Sequence, residues 1–209
     1  GDTIIAGEGD NVVVAGVGSD TVTAGSGTDL VLGDNGAITW TPAGVYEQFG
    51  TTDPTLGGND DIRVGDGNNI VAGGFGADVI ETGVGEDLVI GDNGQFTYTT
   101  DPVSGQAVLT GAQTTDTTAA TGGNDVISSG GGSTRNIVLA GVGDDRVNQP
   151  ARPGTTDPVP AVSSGQDIVI GDNGNVTWDG GGLLTGFGST LPEVGGNDLI
   201  DVGDGNNIV

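Results

Sequence analysis

The chain has 209 residues, of which 44 are Gly, and it sets 29 Asp and Glu against four Lys and Arg for a net charge of −25 at pH 7. All four cations are arginines (Arg63, Arg135, Arg146 and Arg152), too few to neutralise the phosphates of a nucleic acid or to hold an anionic membrane surface. Cys, His, Met and Lys are absent, which removes disulfides, zinc–thiolate sites and the usual general bases and nucleophiles.

The elements repeat with a period of nine. GDTII (1–5) is the tail of one nine, with Asp2 at its sixth position. AGEGDNVVV, AGVGSDTVT and AGSGTDLVL follow from Ala6 to Leu32 and place Asn11, Asp20 and Asp29 at position six. GDNG (33–36) closes the run, ITWT, PAG and VYEQF read as a β-hairpin with a Pro/Gly turn, and GGNDDIR (57–63) restores the nine with Asp60. The second block repeats the plan with Asn69, Asp78 and Asp87, then GDNG (91–94), a hairpin candidate FTYT/DPVSGQ/AVLT, and a Thr-rich loop. The third is looser. Asp125 sits in GGNDVIS, a two-residue insertion precedes Asn136, Asp145 follows in AGVGDDRVN, and a Pro-rich loop (149–163) interrupts before Asp167 and GDNG (171–174). VTWD/GGG/LLTGF is the third hairpin, and a fourth block begins with Asp198 and Asn207. The chain is read as one continuous array of blocks at about 1–56, 57–121, 122–194 and 195–209, with hairpin arms at about 37–50, 95–110 and 175–188. It opens and stops inside a nine, as an excerpt of a longer protein would.

Two glycines in every nine exclude helix, since each costs about 1 kcal/mol relative to Ala. The three residues closing each nine form a very short strand whose middle side chain (Val13, Val22, Val31, Val71, Ile80, Val89) faces inward. The Gly-rich remainder turns the chain, two nines make one flattened coil, and coils stack at roughly 4.8 Å. The expected fold is all-β: a parallel β-roll, or β-solenoid, of Gly/Asp-rich nonapeptides with a β-hairpin inserted after each block. Stacking puts position-six residues two nines apart over one another: Asp2 over Asp20, Asn11 over Asp29, Asp60 over Asp78 and Asn69 over Asp87. Carboxylates about 5 Å apart repel unless a cation lies between them. Ca²⁺, which takes about six to eight oxygens, suits Asp side chains combined with the open carbonyls of Gly-rich turns. The candidate Ca²⁺ ligands are Asp2, Asp20, Asp29, Asp60, Asp78, Asp87, Asp125, Asp145, Asp167 and Asp198, with Asn11, Asn69 and Asn207 as weaker or altered half-sites. Glu8, Asp66 and Asp204 at position three are candidates to compensate there, and the inserted turn before Asn136, with Arg135, is expected to hold no ordinary site.

AGVGSDTVT (15–23) and GGFGADVIE (73–81) resemble the RTX (repeats-in-toxin) nonapeptide GGxGxDxUx, of the kind found in giant secreted or surface adhesin-like proteins. The resemblance covers about half the chain, leaving out the hairpins and long loops. It implies a calcium-filled β-roll, export through a type I apparatus, and folding after export where Ca²⁺ is abundant.

GDNG reads either as a tight turn into the hairpin or as a source of further ligands in Asp34, Asp92 and Asp172. The strands before it (LVL, LVI and IVI) are apolar on both faces, as strands buried on both sides are. Trp40, Tyr98 and Trp178 in the arms are therefore read as a cover for that outer face, with a sugar-stacking platform or a partner surface as alternatives. The expected role is non-enzymatic: a Ca²⁺-binding structural or extender segment of a large secreted or cell-surface protein such as an adhesin, surface layer or extracellular filament. Its expected partners are calcium ions and further copies along or beside the solenoid, with no nucleic acid and no membrane insertion. The alternatives are a secretion and folding module of an exported toxin or hydrolase and, less favoured, carbohydrate or ice binding. Ice binding wants a flat outward row of Thr and Asn at one fixed position, whereas position five reads Asp10, Ser19, Thr28, Asn68, Ala77 and Glu86.

Overall fold

The computed structural model describes residues 1–160 and 163–209; Ala161 and Val162 of the predicted Pro-rich loop lie outside them. The first block holds β1 (Thr3–Gly7), β2 (Val12–Val14), β3 (Thr21–Ala24), β4 (Leu30–Leu32), β5 (Gly36–Trp40) and β6 (Tyr46–Thr51). The second holds β7 (Asp61–Arg63), β8 (Ile70–Ala72), β9 (Val79–Thr82), β10 (Leu88–Ile90), β11 (Gly94–Thr100) and β12 (Ala107–Thr114). The third holds β13 (Val126–Ser129), β14 (Ile137–Leu139), β15 (Arg146–Val147), β16 (Ile168–Ile170), β17 (Gly174–Trp178) and β18 (Leu184–Ser189), and β19 (Leu199–Ile200) opens the fourth. The described residues are all-β, with no helix and so none long and apolar enough to cross a membrane.

The short strands form two parallel sheets in strict chain order. One runs β1-β3-β7-β9-β13-β15-β19 and the other β2-β4-β8-β10-β14-β16. Their facing sides are filled by the middle residue of each strand. Val22, Ile62, Ile80, Ile127 and Val147 from the first sheet meet Val13, Val31, Val71, Val89, Val138 and Val169 from the second. The inward residues expected from the period are thus the ones in the core. Between strands the chain turns on glycine. Gly74 and Gly76 lie at φ +113° and +117°, and a methyl on Gly76 would collide with the Gly58 carbonyl of the adjacent coil.

A third sheet is antiparallel and runs β5-β6-β11-β12-β17-β18. Each pair β5/β6, β11/β12 and β17/β18 is antiparallel, and the pairs join one another through β6/β11 and β12/β17. This sheet lies on the outer face of the β2–β16 sheet. Phe49, Phe96, Ala112 and Val176 pack there against Leu30, Leu32, Leu88, Ile90, Ile137, Leu139 and Ile168 in a second core. The two-sided apolar strands LVL, LVI and IVI are therefore buried between two layers. Their cover is Phe49 and Phe96, both fully buried with ring centroids 5.8 Å apart, more than the tryptophans. Trp40 is 50% exposed and rests on Tyr46, which in turn meets Tyr98.

Candidate metal ladders

Position-six residues stand directly before the strands of the two parallel sheets, and the stacking aligns them into two ladders, one on each edge. Asp2, Asp20, Asp60, Asp78, Asp125, Asp145 and Asp198 precede the strands of the β1–β19 sheet. Each N–H along this edge donates to Oδ1 of the next rung. Asp2 donates to Asp20; Asp20 to Asp60, Asp60 to Asp78, Asp78 to Asp125 and Asp125 to Asp145 follow at 2.8 Å each, and Asp145 to Asp198 at 3.0 Å. The other edge carries Asn11, Asp29, Asn69, Asp87, Asn136, Asp167 and Asn207, linked in the same way at 2.7–3.1 Å. All the candidate ligands fall on one ladder or the other, and Asn136 keeps its rung despite the insertion before it. The ladders also run unbroken past each arm, so Asp20 meets Asp60 and Asp29 meets Asn69, a continuity that pairing within single blocks did not anticipate.

The two edges differ chemically. On the all-Asp edge Oδ1 is satisfied by the backbone, whereas Oδ2 of Asp20, Asp60, Asp78, Asp125 and Asp145 is buried without a hydrogen-bond partner. These orphaned oxygens share their space with carbonyls. The volume a methyl on Gly33 would fill is occupied by Asp60 Oδ2 and the Gly73 carbonyl oxygen. Gly73 stands in the same way before Asp78 Oδ2 and the Gly91 carbonyl, and Gly91 before Asp125 Oδ2 and the Ala140 carbonyl. Two acceptors facing one another with no donor from the chain between them call for a cation or a bound proton, and an all-oxygen donor set suits a hard cation. Among the described residues no three carboxylates converge on one point, so such an ion would draw on one or two carboxylates plus backbone carbonyls.

Burial, followed by the charge of Asp20, pushes the Asp60 carboxyl up to about 7. Burial and the charges of Asp198 and Asp172 push Asp145 to about 7 as well. Asp78 and Asp125 rise well above the carboxylate range, chiefly through burial and then through Asp125 and Asp145 respectively. A carboxyl raised in the fold binds more protons there than in the unfolded chain. Its contribution to stability is full below its ordinary value of 3.8 and is lost as pH rises toward about 7. Calcium-free chain is therefore expected to be more compact at pH 4 than at pH 8, which far-ultraviolet circular dichroism with chelator present would read. A calcium-free spectrum that gains β signal on going from pH 4 to pH 8 would contradict this.

On the mixed edge Asp87 and Asp167 find donors for both oxygens, whereas Asp29 Oδ2 is buried without one. Asp87 Oδ1 accepts from the Asn69 backbone and from Asn69 Nδ2, and its Oδ2 accepts from Thr82 Oγ1 at 2.8 Å. Asp167 Oδ2 accepts from Ser163 Oγ at 2.7 Å. Burial still raises Asp87, to about 6, with the Asn69 and Thr82 donors opposing the rise. Glu8 and Asp66 accept from the Ser26 and Val84 backbones of the coil above, and the Asp66 charge adds to the rise of Asp87.

The GDNG residues clasp the ends of each arm. Asp34 accepts from the N–H groups of Gly58 and Phe75, Asp92 from Gly123 and Val142, and Asp172 from Gly196. The following Asn35, Asn93 and Asn173 donate to the carbonyls of Leu56, Thr121 and Val194, the residues just before each returning GG. This favours the turn reading of GDNG, with its Asp tying the returning strand to the next coil. The side-chain partners lie more than twenty residues away, so no local pattern announces them.

Residues 1–37 and 55–89 match the RTX calcium-binding nonapeptide repeat, in four copies. These segments are RTX repeats. RTX repeats imply Ca²⁺ binding, are typically structural and occur in exported proteins. No curated protein and no solved structure matches the chain.

Proposed function

We propose that this chain is a calcium-rigidified β-roll with hairpin arms after each block, serving as an extender in a large secreted or cell-surface protein of the adhesin, surface-layer or filament kind. The observation that carries the reading is the chain-ordered stacking of both parallel sheets. Each added coil lengthens the stack by roughly 4.8 Å and touches only its neighbours, so length grows with repeat number and the lateral contacts stay the same. The RTX repeats supply the reason for calcium, and export places the chain where calcium is plentiful. Function as a linker that carries load is what distinguishes this reading from a secretion and folding module.

Single-molecule force spectroscopy tests it. In Ca²⁺ the segment should resist extension and release its length in discrete steps, toward a fully extended contour on the order of 700 Å. In chelator it should stretch as a featureless entropic spring. The same featureless curve in both conditions would sink the extender reading.

A further inference from the structure

The RTX pattern leads one to expect calcium at the turns on both edges of the roll, and the residues fit that expectation on one edge only. On the mixed edge the amide nitrogen of Asn occupies the place a cation would take. Asn69 Nδ2 donates to the carbonyls of Gly65 and Gly67, at 3.0 and 3.2 Å, and to Asp87 Oδ1 at 3.0 Å. Asn207 Nδ2 donates to the carbonyls of Val202, Gly203 and Asp204. On the opposite edge the carbonyls of Gly73, Gly91 and Ala140 stand beside the orphaned carboxylate oxygens, and the position-six residue there is Asp, whose carboxylate brings no donor. The orientation of the Asn69 amide is fixed by its surroundings, because its Oδ1 accepts the Asp29 N–H and its other end faces acceptors only. Asp87 and Asp167, the acidic rungs between, have both oxygens occupied by N–H or O–H donors.

We propose that the two edges of this roll are held by different chemistry, the all-Asp edge by Ca²⁺ and the edge from Asn69 to Asn207 by Asn side chains that stand in for the cation. This rests on the reading of the chain as a calcium-binding roll. The alternation Asn–Asp–Asn–Asp is what makes it work. Each carboxylate is flanked above and below by neutral rungs, and the Asn69 and Asn207 amides each bring two N–H donors to a turn whose carbonyls accept them. Asp29 marks where the substitution is incomplete. The residue five before it is Ala24, where Asp87 has Thr82, and Asp29 Oδ2 is buried without a partner. If this edge takes any ion, it takes one there. Asn136 is the rung displaced from its turn carbonyls by the inserted SGGGSTRN segment, and its Nδ2 has no partner.

The experiment counts and locates bound Ca²⁺ on the full chain. Anomalous X-ray scattering from calcium-loaded wild-type crystals should place the ions along the all-Asp edge, with at most one beside Asp29 on the other. Equilibrium dialysis should show Asp78→Asn losing about one ion per chain, Asp87→Asn losing none, and Asn69→Asp gaining one. Ions beside Asp87 or Asp167, or a loss in Asp87→Asn equal to that in Asp78→Asn, would overturn the inference. An ion count unchanged in Asn69→Asp would overturn it too, since a rung already ligating calcium gains nothing from the carboxylate. The crystallographic positions decide the matter even if a variant fails to fold. Calcium on both edges would defeat this inference alone, whereas no bound calcium on either edge would defeat the calcium-binding reading itself.

Discussion

Chelating the calcium from the loaded chain at pH 7.5 is expected to unfold the whole stack, expanding its radius of gyration from about 17 Å toward about 50 Å. The argument is one of magnitude. Adjacent carboxylates about 5 Å apart repel by about 3 kcal/mol at an effective dielectric near 20. The seven Asp rungs from Asp2 to Asp198 make six such steps. Their sum, on the order of 20 kcal/mol, exceeds the net stability of about 5–15 kcal/mol that ordinary domains possess. Part of the burden is shed by protonation, since burial lifts Asp60 and Asp145 to about 7 and holds Asp78 and Asp125 well above the ordinary carboxylate range, so this sum is the upper bound of the repulsion that chelation uncovers at pH 7.5. The amide edge offers no refuge, because every coil contributes a rung to both edges. Small-angle scattering in EGTA and then in excess Ca²⁺ reads the change directly, and a radius that stays near the compact value in EGTA at pH 7.5 would refute it.

Replacing Phe96 with Ala is expected to cost about 3–5 kcal/mol in saturating Ca²⁺, the usual range for emptying a buried aromatic site. Phe96 is fully buried, packs against Phe49, and its strand β11 pairs with both β6 and β12 at the centre of the antiparallel sheet. The cavity would open between that sheet and the apolar outer face carried by Leu32, Leu88 and Ile90. Urea denaturation should therefore show a lower midpoint, with increased binding of a hydrophobic dye before the main transition as the arms lift. The parallel strands hold their own core of Val and Ile and should persist to higher urea. A loss below about 1 kcal/mol would mean that the arms contribute little to the roll.

What the sequence made legible was whatever the period of nine encodes. The inward set Val13 to Val89, the parallel stacking and the vertical pairs such as Asp60 with Asp78 follow from repetition alone, because one coil equals two nines. Features that depend on partners distant in the chain were not legible. Joining of the arms rests on β6 meeting β11 and β12 meeting β17. The GDNG clasps reach across whole arms, as Asn35 does to Leu56. Asn136 looked lost behind its insertion, yet Ile137 pairs with Leu88 in full register, because strand pairing on both sides fixes which face a short strand presents. Trp40, Tyr98 and Trp178 are the aromatic landmarks of the sequence, while the deeper anchors are Phe49 and Phe96, whose burial is set by the continuous sheet around them. The division of labour between the edges was written at position six as Asn against Asp, but its meaning depended on where the Asn69 and Asn207 amides point.

The continuous antiparallel sheet also changes how such a stack would come apart. A bare pile of coils frays from its end one layer at a time, each layer leaving at little expense to the rest. Here β11 is stitched to β6 of the preceding block, and β17 to β12, so the blocks are cross-laced along one side like planks under a batten. Peeling off a terminal coil gains little freedom until the arm laced to its neighbour also lets go. Erosion should therefore proceed in jumps of a whole block, giving the rod a toughness set by the number of laced arms, a quantity separate from the length set by the number of coils.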